Sequence, residues 1–109
     1  MKVLVTGGRD YGNTRRVFEV LSYEQPTLLC QGGANGADQL ARAWAITHDI
    51  PYVTYEADWS QGRKAGPLRN QQMLDEFKPD LVVAFPGGRG TADMVRRAKA
   101  VGVEVREVE

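Results

Sequence analysis

Short apolar runs alternate along the chain with stretches whose apolar positions recur at helical spacing, the pattern of a parallel sheet covered by helices. Five runs read as strands: Val3 to Thr6, Leu28 to Gln31, Tyr52 to Tyr55, Leu81 to Phe85 and Val103 to Arg106. The first, second and fourth are nearly continuous in apolar residues, as strands buried on both faces are, so these three are expected at the centre. Between them, Val17, Val20 and Leu21, then Ala37, Leu40, Ala41 and Trp44, then Met73, Leu74 and Phe77, then Thr91, Met94, Val95 and Ala98 mark four helices. Asn13 or Thr14 is placed to cap the first helix. Pro26 and Pro79 stand in the turns after helices one and three, and Gly102 sits where the fourth should stop. With right-handed crossovers this order predicts an α/β fold: an open, doubly wound, five-stranded parallel sheet with helices on both faces, three layers in all. Ligands of such sheets bind outside the carboxyl ends of the strands, where the strand order reverses.

The 109 residues suit one domain over 1–109. A chain this short builds one core but leaves little room for a deep private site, so a site shared across a dimer interface is expected. Lys plus Arg and Asp plus Glu both number 14, which argues against coating a nucleic acid or an anionic membrane. Cys30 is the sole cysteine, so no disulfide framework or thiolate zinc cluster is expected, and a reducing setting is favoured. No run approaches the roughly 18 apolar residues of a membrane span, and Met1 to Gly8 lack a signal-peptide core. The expectation is a cytoplasmic protein without metal or cofactor.

Three strands run into glycine pairs on one edge of the sheet. Strand one leads to Gly7, Gly8, Arg9 and Asp10, strand two to Gly32, Gly33, Ala34, Asn35, Gly36, Ala37 and Asp38, and strand four to Pro86, Gly87, Gly88, Arg89, Gly90 and Thr91. Glycine permits close backbone approach, and each loop feeds a helix whose free N–H groups attract an anion, phosphate above all. No Gly-Lys-Ser/Thr follows the glycines, so magnesium and γ-phosphate chemistry is not implied. No acidic residue ends strand two, which argues against a hydride-transfer enzyme. Arg9, Arg63, Lys64, Arg69 and Arg89 crowd the same edge. Arg69, read as lying near the start of helix three, is the best placed to grip a phosphate or carboxylate bidentately.

In order along the chain, Gly7 to Tyr11, Gly32 to Asp38, Asp58-Trp59 with Lys64, Ala65 to Met73 including Arg69 and Asn70, and Pro86 to Thr91 resemble the recurring motifs of the SLOG superfamily of Rossmann-like domains, in its cpYpsA-related branch of small single-domain members. The resemblance spans essentially the whole chain and implies binding of a nucleotide or nucleotide-derived ligand such as AMP, an NAD fragment or ADP-ribose. It does not by itself imply catalysis, but related domains commonly pair through helices, so it implies a homodimer with Trp44 or Phe18 in the patch. The related LOG phosphoribohydrolases carry a Pro-Gly-Gly-x-Gly-Thr-x-x-Glu motif and an arginine on the preceding helix. Pro86 to Thr91 and Arg69 resemble these, but Met94 stands at the glutamate position, and a thioether can neither steady an oxocarbenium charge nor orient water.

If the protein is an enzyme, Arg69, Asp38 and Asp93 are the catalytic candidates. Asp93 lies one residue early, about 100° around the helix from Met94, and is expected to face elsewhere. Asp38 in a first helical turn has an ordinary role too, satisfying free N–H groups. Trp59 sits in a polar stretch read as a long loop, where it either stacks on a base or pins the loop. His48 reads as a helix-terminus residue and Cys30 as an inert core position. The leading expectation is a ligand-binding or sensing domain. A phosphoribohydrolase-like hydrolase and a single-stranded nucleic-acid module are the alternatives, the last disfavoured by zero net charge.

Overall fold

A computed structural model describes residues 1–109. The chain runs β1 (Lys2–Thr6), α1 (Thr14–Glu24), β2 (Leu28–Gln31), α2 (Ala37–Thr47), β3 (Tyr52–Thr54), a 3-10 segment (Trp59–Lys64), α3 (Ala65–Gln72), a π turn (Met73–Phe77), β4 (Leu81–Ala84), α4 (Arg89–Ala100) and β5 (Glu104–Glu107). All five strands are parallel, in the order β3-β2-β1-β4-β5. The three apolar strands are the central ones, and Leu4 of β1 pairs with Cys30 on one side and Val82 on the other.

Alternate residues of a strand face opposite sides of the sheet. Val3, Val5, Leu29, Val83 and Phe85 therefore meet α1 and α2 through Val17, Val20, Leu21, Ala41 and Trp44. Leu4, Cys30 and Val82 meet Met73, Leu74 and Phe77 of the π turn and Met94 and Ala98 of α4. The result is a Rossmann-like three-layer fold. Its strand order reverses between β1 and β4, which places a crevice above their carboxyl ends.

Helix starts decide which backbone groups face that crevice. Asn13 caps α1, its Oδ1 accepting from Arg16 N at 3.0 Å. By contrast α2 and α4 begin at Gly36 and Gly88 with no side-chain cap, so their first N–H groups are left for other partners.

Several boundaries differ from the pattern. Tyr55 and Phe85 fall just outside their strands, and β5 is shifted one residue onward. The polar stretch read as a loop is wound into the 3-10 segment, broken at Gly62 where φ is 72°. That segment runs straight into α3, so Arg69 lies in the last turn of α3, not near its start. The Trp44 ring is buried at 3% exposure and its Nε1 donates to Ser22 Oγ at 3.0 Å. It belongs to the core of one chain and offers no surface for a dimer patch. No helix is long and apolar enough to cross a membrane.

Candidate functional site

A cleft of about 800 Å³ lies over the carboxyl ends of β1 and β4, within the usual range of small-molecule sites. Thr6, Gly7, Gly8 and Arg9 line it from β1. Ala34 and Asp38 come from the β2–α2 connection, Trp59 and Arg63 from the 3-10 segment, and Gly66, Pro67, Arg69 and Asn70 from α3. Gly88 to Asp93 and Arg96 complete it from α4.

Most of the loop glycines serve the protein itself. A Cβ on Gly36, whose φ is 74°, would overlap the carbonyls of Gly8 and Arg9, and one on Gly87 would overlap the Thr91 hydroxyl and the Gly8 amide. Gly8 N donates to Pro86 O at 2.9 Å and Ala37 N to Gly8 O at 3.2 Å. The three loops thus brace one another. Gly88 and Gly90 are different, because nothing lies within 4 Å of where their Cβ atoms would be. These two open onto the cleft at the uncapped start of α4.

Asp38 and Arg69 form the wall below β2. Asp38 Oδ2 accepts from Gly32 N at 3.1 Å and Ala34 N at 3.2 Å, so it ties down the loop before its helix instead of capping the helix. The carboxyl is 5% exposed. Burial pushes its pKa up to about 6, against the pull of those two amides and of the Arg69 charge. Arg69 Nη1 donates to Gly32 O at 2.7 Å and Tyr55 O at 3.2 Å, and Nε to Asn70 Oδ1 at 3.2 Å. Two main-chain carbonyls and an amide hold the guanidinium without neutralising it. Its Nη2 makes no hydrogen bond within the protein.

Asp93 lines the cleft, contrary to the expectation that it faces away, and Met94 is wholly buried in the core. The helical face beside Met94 turns toward α3, which also borders the cleft. Asp93 Oδ2 accepts from Asn70 Nδ2 at 3.0 Å and Arg97 Nε at 2.8 Å, and Oδ1 from Arg96 Nη2 at 2.5 Å. Burial works against its charge, but the bonds from Asn70 and Arg97 and the two arginine charges outweigh it and hold the pKa below the ordinary value.

At the mouth, the Arg9 guanidinium lies over the Trp59 ring at 5.3 Å, and Trp59 is 56% exposed. Of the other residues singled out in the sequence, Asp10, Gly32, Gly33, Asn35, Gly36, Pro86 and Gly87 lie behind or beside the cleft, and Lys64 lines a neighbouring groove. Thr6 and Arg96 also line the cleft, outside the glycine loops that mark it in the sequence. Arg96 follows Arg89 by seven residues, two helical turns along the same face, and that spacing is visible in the sequence.

The family model described as the YspA, cpYpsA-related SLOG family matches residues 1–62, which hold the first two glycine loops and Trp59 but neither Arg69 nor the start of α4. The "Gene 61 protein" of Mycobacterium phage D29 is 37% identical over 117 residues, covering 95% of this chain and 93% of that protein. Among solved structures, the crystal structure of Acinetobacter baumannii MurG is similar with a TM-score of 0.59 and 15% identity over 97% of this chain. The chain spans 34% of that MurG chain, and at such identity the likeness is one of fold alone.

Proposed function

The chain belongs to the YspA, cpYpsA-related SLOG family, and we propose that its cleft binds a nucleotide or nucleotide-derived ligand such as AMP, an NAD fragment or ADP-ribose. The observation that carries this reading is the start of α4, where Gly88 and Gly90 leave open space before N–H groups that no side chain caps. Such a terminus attracts a phosphate. Arg69, fixed through two carbonyls, adds a charge that is already oriented. In this reading Asp38, on the cleft wall with Oδ2 engaged by Gly32 and Ala34, accepts from a ribose hydroxyl through Oδ1, and Trp59 offers a face to the base.

A thermal-shift series with AMP, ADP, NAD and ADP-ribose tests the reading. A ligand at about 100 times its Kd adds about 2.7 kcal/mol, which raises the Tm of a domain this small by about 10 °C or more. No shift with any of them at millimolar concentration sinks the proposal.

A hydrolytic reading has one observation in its favour: two carboxylates share the cleft with pKa values driven in opposite directions. Asp93 is bound by two arginines and is a poor base. Asp38, raised toward neutral pH and with Oδ1 free of protein donors, is the better candidate to handle a proton. Base release from AMP that vanishes in Asp38→Asn and survives in Asp93→Asn supports this reading. No release by the wild type removes it.

Pairing of two copies also belongs to the proposal, supported by the exposed Tyr23 and Ile46 on the α1 and α2 face. Light scattering of the purified protein, giving a monomer or dimer mass, decides it.

A further inference from the structure

A second groove, of about 410 Å³, opens beside the main cleft and shares Arg63 and Pro67 with it. Lys64, Leu68, Gln71 and Arg97 complete its lining. Its chemistry is one-sided: three cations, two apolar side chains and an amide, with no carboxylate. Leu68 is 53% exposed. Arg97 is held in place, Nε donating to Asp93 Oδ2 at 2.8 Å and Nη1 to Gln71 Oε1 at 2.9 Å. Arg63 and Lys64 take part in none of the chain's ion pairs.

An exposed leucine and proline beside two uncompensated cations contribute nothing to the core of this fold. An apolar platform edged by cations suits a nucleoside that packs its apolar face there while its phosphate meets the cations. The groove begins at Arg63 and Pro67, where the main cleft ends, so a single molecule can occupy both.

Building on the reading of the main cleft as a nucleotide site, we propose that the ligand is of dinucleotide size. Its second nucleoside lies on Pro67 and Leu68, and the phosphate beyond the first is held by Arg63 and Lys64. The shared chemistry is a second nucleotide unit, whether joined through a diphosphate or a phosphodiester.

Isothermal titration with AMP, diadenosine diphosphate and the 5′-phosphorylated adenine dinucleotide tests this and separates the two linkages. At least one dinucleotide is expected to bind about tenfold more tightly than AMP, or about 1.4 kcal/mol. That gain disappears in Lys64→Glu and in Leu68→Asp, both at exposed positions, while the Kd for AMP stays as in the wild type. Dinucleotides that bind no more tightly than AMP overturn the second site and leave the first reading standing. A gain that survives both substitutions also overturns it. Binding by none of the three overturns both readings. An oligonucleotide of about twelve residues that binds far more tightly than either dinucleotide overturns the size limit and makes the groove part of a single-strand path.

Discussion

The Arg69 guanidinium fills the space that a Cβ on Gly32 would need, and its Nη1 donates to the Gly32 carbonyl at 2.7 Å. The glycine is thus the seat of the arginine. Gly32→Ala is expected to unseat it, with little overpacking because the end of a flexible side chain gives way, but with loss of the bonds to the Gly32 and Tyr55 carbonyls, about 1–3 kcal/mol of stability together, and about tenfold in ligand affinity. Arg69→Lys keeps the charge but cannot bond both carbonyls through one nitrogen and Asn70 through a second while leaving a third free for a ligand, so it should retain the fold and still weaken binding. Urea denaturation and titration read the two effects separately. A Gly32→Ala protein that binds as the wild type does would show that Arg69 is not poised by this contact.

Asp38 makes folding depend on pH. Its carboxyl ionises at about 6 in the folded chain against an ordinary 3.8, so between those values the folded state holds more protons than the unfolded state. Stability contributed by this group is therefore present below that window and lost as pH rises through it. Asp38→Asn keeps an oxygen for Gly32 N and Ala34 N without the charge, and is expected to be more stable than wild type by about 1–2 kcal/mol at pH 7.5. Urea melts at pH 7.5 and 4.5 should show that advantage shrinking at the lower pH. An advantage that is equal at both would mean the carboxyl ionises normally.

Restoring a glutamate at position 94 should not create an enzyme. Met94 is wholly buried against Leu4 and Val82, so Met94→Glu buries an unpaired carboxylate and is expected to cost about 4 kcal/mol or more. Asp93→Asn loses the charge that gathers Arg96 and Arg97, with an expected cost of about 1–3 kcal/mol. Denaturation midpoints compare the two directly. A stable Met94→Glu protein with new turnover would show that α4 can rotate to present that position.

Trp59 reports on occupancy. It is exposed, whereas Trp44 is buried, so red-shifted emission comes from Trp59 alone and should be quenched as ligand is added. Trp59→Ala should fold with nearly unchanged stability and lose the stacking contribution of about 1–3 kcal/mol, or about 5- to 150-fold in Kd. If emission is quenched equally in that variant, the base lies elsewhere.

The layered sheet was legible because apolar runs and helical spacing report burial directly, down to the three central strands and the Asn13 cap. The edge of the site was legible too, since Gly7, Gly32 and Gly88 follow the three buried strands. What the glycines do was not. A sequence shows that a side chain is missing, but not that Arg69 fills the space beside Gly32 or that Gly8 and Gly87 pack on each other. Asp93 was misplaced for a related reason. Its angle from Met94 was right, but only the fold reveals that the neighbouring face, toward Asn70, borders the cleft as well.

The bracing of Gly8, Gly36 and Gly87 has a further consequence for discrimination among ligands. Three interlocked turns behind the cleft cannot give way under one part of a ligand without disturbing the other two, while none of the six residues Trp59–Lys64 is buried. Tolerance is therefore divided unevenly along the cleft. Analogues altered at the phosphate end should be refused sharply, and those altered at the base should be accepted in graded fashion.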